Sequence, residues 1–362
     1  MERCCGVYRP RNPSATALYG LLESLYGRVK GLWDEVFEPR YGFWRSFVEQ
    51  AVFRYLDCGI FARGFARIRC RRCAEEYLVA FSCKGRGLCP SCAAKRGAAF
   101  GAFLAEEVAE EVGRTHWVFT IPKMLRPYFM HHRELLGRLA GAAHETLREL
   151  LAAAVGEGAG FQIGMVAVVQ TFGGLLNTHP HVHALATRGG WDRSGTWLPV
   201  PYLDESTAER LFRHKVVKLL RDAGLLSEKR IELLLAWRHT GFSVRGETHI
   251  GPTDRKALET VARYMLRCPV SLARLVWREG EVSVVYKGQP GEPGEEIDAC
   301  ELVARVLAHV PDPKRHVVHY YGAYSNVARA RRPAALFRQQ TRPRPPKRCR
   351  PSRPPAGEAG RS

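Results

Sequence analysis

The sequence has no uninterrupted apolar run of the ~18 residues that a membrane-spanning helix needs. Its best stretch, FQIGMVAVVQTFGGLL, is too short and rich in glycine. The opening MERCCGVYRPRNPSATALYG has none of the apolar segment that marks a secretory signal. Both lacks point to a cytosolic chain with no membrane partner. In that compartment its 11 cysteines read as metal ligands or thiols rather than disulfides. No Gly-x-x-x-x-Gly-Lys-Ser/Thr phosphate loop occurs, which argues against chemistry driven by nucleotide hydrolysis. No internal repeat is present. Acidic residues are scarce: 36 Asp+Glu stand against 55 Lys+Arg, a net charge of +19. Between Tyr320 and Ala356 there is no acid at all, against ten Lys or Arg.

With 362 residues, 46% of them hydrophobic and 25% charged, the chain can bury a full core, and two domains are expected. A basic excess of this size implies a polyanionic partner, most often nucleic acid. Residues 14–56 carry helical periodicity through Leu18, Leu21, Leu22 and Leu25, then Phe43, Phe47, Val48 and Ala51. Residues 58–96 are rich in Cys, Arg and Gly. A helix is expected near 98–113. Strands and helices then alternate: strands at 116–121, 162–172, 181–187, 241–250 and 281–287, and helices at 132–155, 204–238, 254–267 and 297–309. Asp254 stands near the start of one helix. Close strand pairs joined by short turns favour an antiparallel α+β domain. The end of the chain, TRPRPPKRCRPSRPPAGEAGRS, is heavy in proline and should be disordered.

Two constellations carry chemistry. Cys70-x-x-Cys73 and Cys89-x-x-Cys92 are two knuckles with the spacing of a zinc site. Four thiolates leave no open position, so this zinc is structural. Cys58 and Cys83 lie close enough to leave the ligand set open. Nine basic residues between 60 and 96, opposed only by Glu75 and Glu76, suit contact with phosphates. The second constellation is NTHPHVHALAT, residues 177–187. In a strand its three histidines point one way. Pro180 suggests that the strand begins there, which favours His181 and His183 as a metal pair. Gln170, on the preceding strand, is the candidate third ligand, with His179 behind it. Imidazoles with a neutral oxygen leave open positions on a divalent cation, suited to Lewis-acid chemistry on a phosphate.

The pieces CGIFARGFARIRCRRC, FSCKGRGLCPSC, HWVFTIPKMLR, VQTFGGLLNTHPHVHALAT, DRKALETVARYMLRCPVSLARL and HYYGAYSN, in this order, resemble the rolling-circle transposases of the insertion sequence 91 type. The likeness runs from about residue 14 to 332. It implies a helical, zinc-binding, DNA-binding region over 1–100, an antiparallel-sheet HUH nuclease domain (U a hydrophobic residue) over 110–335, and a basic Pro/Arg-rich tail over 336–362. The family's histidine pair falls on His181 and His183, and its nucleophile on Tyr264. Where many members carry a second tyrosine four residues earlier, this chain has Thr260, so it looks like a one-tyrosine form. Arg267-Cys268-Pro269 replaces a common Arg-Pro-Pro. The resemblance implies nicking and rejoining of single-stranded DNA at transposon ends, with Mg²⁺ or Mn²⁺, through a 5′-phosphotyrosine. Tyr320, Tyr321 and Tyr324 are rival tyrosines. A zinc-dependent DNA-binding protein without catalysis is the other reading, and an RNA-binding zinc knuckle a third.

Overall fold

The computed structural model describes residues 12–70, 74–158, 160–237, 240–288 and 293–331. The expected tail at 336–362 lies outside them. The chain begins with helices α1 (Ala17–Gly31), α2 (Glu38–Tyr41) and α3 (Phe47–Leu56). Thr16 caps α1 by accepting from the Tyr19 amide, which satisfies one of the amides a helix start leaves unpaired. Leu18, Leu21 and Leu22 are buried along one stripe, as their spacing requires. A two-stranded antiparallel ribbon follows, β1 (Phe65–Arg69) with β2 (Glu76–Ala80), then α4 (Pro90–Phe103) with proline in its first turn.

The next elements are β3 (Arg114–Thr120), α5 (Arg126–His131), α6 (Leu135–Ala154), β4 (Gly164–Phe172) and β5 (Thr178–Thr187). A small ribbon, β6 (Gly189–Trp191) and β7 (Trp197–Pro199), leads to α7 (Glu205–Asp222) and α8 (Glu228–Ala236). Then come β8 (Ser243–Ile250), α9 (Arg255–Met265), β9 (Leu275–Val276), β10 (Ser283–Tyr286) and β11 (Glu295–Asp298). Last are α10 (Ala299–Ala308), β12 (Val318–Gly322) and α11 (Asn326–Ala330). Asp254 caps α9 by accepting from the Ala257 amide at 2.9 Å.

The main sheet is antiparallel in the order β12-β4-β5-β3-β8, so the fold is α+β. Strand alternation sends Trp117, Phe119, Ala167, Val169, Val182 and Ala184 to one face, where α6 and α7 cover them. Val166, Val168, Leu185 and Ile250 go to the other face, under α4 and α9. Helices on both sides explain why β4 is buried along its whole length. The histidines of β5 share the α9 face.

Three features depart from the expected layout. Strand β5 starts at Thr178 and passes through Pro180, because its register with β4 shifts between Gln170 and Phe172. A proline is tolerated at such an irregularity. The strand expected at 281–287 belongs not to the main sheet but to a small one, ordered β11-β10-β9. Finally, Leu18, Leu21, Trp33 and Val52 share one core with Val284, Leu302, Val303 and Leu307. The N-terminal helices therefore pack on residues 270–310, across the boundary expected near residue 100. Among the described residues no helix is long and apolar enough to cross a membrane.

Candidate metal and nuclease sites

Cys58, Cys83, Cys89 and Cys92 bring their Sγ atoms within 4.8 Å of one another. The separations are 3.8 Å for Cys58–Cys89, 3.7 Å for Cys58–Cys92 and 3.4 Å for Cys83–Cys92. A zinc ion with Zn–S bonds of ~2.3 Å in a tetrahedron spaces its sulfurs by about 3.8 Å, so the donor set fits. Cys89 is the N-cap of α4 and Cys92 lies in its first turn, where the helix dipole favours thiolates. The amides of Cys83 and Gly85 donate to the sulfurs of Cys58 and Cys83 at 3.2 and 3.3 Å, an outer shell of the kind that holds metal-bound sulfur.

This geometry corrects the ligand set expected from the two knuckles. The ribbon register, from Phe65 opposite Ala80 to Arg69 opposite Glu76, puts Cys58 and Cys83 at its base. Cys70 follows Arg69 at the far turn, where its amide donates to the Glu75 carbonyl at 2.8 Å. At ~3.3 Å per strand residue, that turn is on the order of 15–20 Å from the base. Cys70 is not part of the cluster, and Cys73 lies outside the described residues. Cys268, by contrast, is a half-buried thiol 3.7 Å from the Leu88 carbonyl oxygen, with its pKa pushed up to about 12 by desolvation.

The second site forms on β5. His181 Nε2 and His183 Nε2 face each other at 3.1 Å. His181 Nδ1 lies 2.6 Å from the His179 carbonyl oxygen. That oxygen can only accept, so Nδ1 carries the proton and Nε2 the lone pair. Burial depresses both rings, His181 to about 3 and His183 well below its usual range, which keeps them neutral, the form that binds metals. The His179 ring lies beside His181 at 4.9 Å, tilted by 39°, on the same face.

Gln170 sits opposite His181 across β4 and β5. Its Nε2 donates to the Met265 carbonyl at 2.8 Å, one of the carbonyls that the end of α9 leaves unpaired. This bond ties the helix end to the sheet. Gln170 Oε1 is buried without a partner, on the residue that faces His181 in the strand register. Two lone-pair nitrogens and an orphaned amide oxygen fit a hard divalent cation with open positions.

Tyr264 ends α9 on this spot. Its ring meets His183 edge-on at 5.3 Å and 82°, and His116 at 6.1 Å and 84°. The Arg267 guanidinium lies 4.6 Å over the same ring. Tyr264 is 42% exposed, so its phenol is open to a ligand. The rival tyrosines are half-buried or buried. Tyr324 is fully buried and accepts from Arg114 Nε at 3.1 Å. Tyr321 stacks on His144 at 4.6 Å, and burial raises it to about 12. Tyr320 packs against Phe103 and Arg329. Thr260 is exposed, with its hydroxyl donating to the Lys256 carbonyl at 2.8 Å.

Two residues that sequence reasoning missed complete the site. His116 Nε2 lies 3.0 Å from His183 Nδ1, and Glu247 Oε2 lies 3.4 Å from His116 Nδ1. The register of β3 with β8 jumps from His116 opposite Thr248 to Trp117 opposite Gly246. Glu247 is the extra residue of this bulge, and bulges re-aim side chains. His116 opens the recognisable strand HWVFTI, but only the pairing of β3 with β5 brings it to His183. Nothing in the local sequence announces the bulge.

The first match to known proteins is a family profile described as "Transposase zinc-binding domain", over residues 29–121, which contains all four clustered cysteines. Another, described as "Putative transposase", matches residues 164–332, which carry β4, β5 and α9. The chain thus carries a zinc-binding domain and a transposase domain of the kind found in insertion sequence 91 transposases. Transposase domains of this kind imply DNA as the substrate class. The chain is 25% identical over 307 residues to the transposase for insertion sequence element IS801 of Pseudomonas savastanoi pv. phaseolicola, covering 78% of this chain and 71% of that one. It is 29% identical over 283 residues to "Putative transposase y4qJ" of Sinorhizobium fredii (strain NBRC 101917 / NGR234), covering 71% and 69%. No solved structure matches the chain.

Proposed function

We propose that this transposase cleaves and rejoins single-stranded DNA at transposon ends with Tyr264 as nucleophile, through a 5′-phosphotyrosine. The observation that carries the reading is the exposed Tyr264 phenol edge-packed on His183, beside the buried His181 and Gln170. Its three rivals are buried or half-buried against other partners.

His181 Nε2, His183 Nε2 and Gln170 Oε1 would hold a Mg²⁺ or Mn²⁺ ion. Bound there, such an ion supplies Lewis-acid polarisation of a non-bridging phosphate oxygen. Every other part is the chain's own. A free phenol has a pKa of ~10, so Tyr264 needs a poised phosphate more than a strong base. Its oxygen bonds to phosphorus, the bond from phosphorus to the 3′ oxygen breaks, and the phenolic proton passes to solvent as the 3′ oxygen takes one up. Arg267, over the Tyr264 ring, offsets charge on the phosphate. The bond energy is kept in the tyrosine ester, so rejoining needs no nucleotide cofactor. Gln170 holds the end of α9 against β4 and so holds Tyr264 in place. His116 and Glu247 are positioning residues: His183 Nδ1–H donates to His116 Nε2, and His116 Nδ1–H faces Glu247, which leaves His183 Nε2 free to bind metal. The thiolate cluster would hold a structural zinc on Cys58, Cys83, Cys89 and Cys92, and would brace the basic ribbon against DNA.

The test is an end-labelled single strand carrying a transposon end, incubated with the protein and Mn²⁺. The expected result is a protein–DNA adduct resistant to denaturation, formed by the native chain and absent in Tyr264→Phe. An adduct undiminished in Tyr264→Phe would refute the assignment. Metal-independent binding with no adduct in the native chain would favour the non-catalytic DNA-binding reading.

A further inference from the structure

A cavity of about 480 Å³ lies between the zinc-knuckle loop at Arg86, the free end of β4, the end of α9 and the segment entering β12. Its size is that of small-molecule sites, ~300–1,000 Å³. Six Lys or Arg side chains line it against two carboxylates. One of these, Asp312, is already engaged by Arg45, Arg133 and Arg315. Arg86 donates to the backbone carbonyls of Arg315 and Asp312, and Arg96 to that of Lys84, which cancels none of their charge. The cavity is electropositive.

Its walls are partly aromatic, with Phe172 and Tyr320. Three of its lining residues, Arg133, Arg267 and His319, have a buried nitrogen without a hydrogen-bond partner. Pairing of β12 with β4 ends at the bond from the Val169 amide to the Val317 carbonyl, so the remaining edge of β4 borders the cavity instead of a strand. Arg267 connects it to the nuclease site: its guanidinium lies 4.6 Å over Tyr264 and 5.5 Å over Phe172. A strand presented to Tyr264 thus has its neighbouring nucleotide at the mouth of a basic, partly aromatic hollow. A duplex is too wide to enter, but a single splayed base is not, and stacking with an Arg-framed phosphate is how proteins hold single strands. Residues 336–362 are themselves basic and carry the wrong charge to fill it.

We propose that this cavity receives one unstacked nucleotide of the single DNA strand next to the phosphate that meets Tyr264, with the base inside and the phosphate at the basic mouth. The proposal rests on the nuclease reading for the identity of the strand, but its test needs no cleavage. The full chain is mixed with a dT20 oligonucleotide carrying one 4-thiothymidine, with EDTA present, then irradiated, and the cross-linked peptides are mapped. Cross-links are expected in peptides holding Phe172, Arg267 or Tyr320. The double reversal Lys314→Glu/Arg315→Glu, at two exposed positions, should remove them and weaken dT20 binding at least ten-fold. Cross-links confined to the ribbon, or unchanged in the double variant, overturn the proposal. So does an amine cross-link from Lys347 to Lys314 in the DNA-free chain, which would name the basic tail as the occupant. Adduct formation on the same preparation separates the two claims. Cavity cross-links in a protein that never forms an adduct sink the nuclease reading alone, whereas adduct without cavity cross-links sinks this one alone.

Discussion

The cysteine cluster and the proposed histidine site would hold a cation in opposite ways. The cluster offers four soft donors from a helix end, a ribbon base and a helix start, all within 4.8 Å, and a tetrahedral ion there has no vacancy. The histidine site offers two neutral imidazoles and one amide oxygen from two adjacent strands, and leaves room for a substrate oxygen. On the proposed reading, zinc in the first staples the segment around it, and the second serves a reactive phenol. The difference teaches that loss of the first should unfold, while loss of the second should silence.

The largest effect therefore belongs to the cluster. Structural zinc contributes ~10–16 kcal/mol of apparent binding free energy, so Cys83→Ser should abolish stable zinc binding and expose residues 58–103 to limited proteolysis. Cys70→Ser should retain the zinc content of the native chain, measured by elemental analysis. Equal zinc loss in both variants would restore the two-knuckle ligand set and erase the contrast.

An intermediate effect belongs to the layer behind the histidines. Outer-shell partners of metal ligands are worth ~10–100-fold in affinity. His116→Phe should weaken Mn²⁺ binding, followed by electron paramagnetic resonance, by that factor while leaving the melting temperature within a few degrees. Glu247→Ala should weaken it less, and Glu247→Gln, which keeps an acceptor oxygen, should recover most of the loss. If Glu247→Gln and Glu247→Ala weaken binding equally, the acceptor at Glu247 orients nothing.

The smallest effect belongs to a buried histidine outside both sites. His309, the C-cap of α10, is 4% exposed, 3.0 Å from Thr171 Oγ1 on β4 and 2.9 Å from the Leu176 carbonyl. Burial, with Arg133, Arg45 and Arg305 nearby, lowers it to about 4. As pH falls from ~6.5 to about 4, the unfolded chain takes up this proton first, so the stabilisation is full above the window and lost through it. The complete loss is about 3 kcal/mol. His309→Gln, compared by urea unfolding across this range, should flatten the slope. An unchanged slope would remove His309 from the account.

The same contrast governs what could be read in advance. Histidine alternation on one strand is local, so His181 and His183 were legible, as were the α9 cap at Asp254 and the strand containing His116. Cysteine spacing misled because a ribbon intervenes: two knuckles adjacent in sequence are separated by a hairpin's length, and its base brings in Cys58 and Cys83. Gln170 was legible as the residue one strand back, but its hold on the Met265 carbonyl was not, since that depends on where α9 docks. Glu247 depends on a bulge, and the core shared by Leu18 with Leu302 depends on long-range packing that periodicity does not encode.

The most direct test digests the denatured Mn²⁺-dependent adduct with protease and nuclease and locates the attached nucleotide by mass spectrometry. The account predicts a 5′-phosphate ester on the Tyr264 phenolic oxygen and on no other residue. The same modification on Tyr320, Tyr321 or Tyr324, or one attached through a 3′-phosphate, would contradict it.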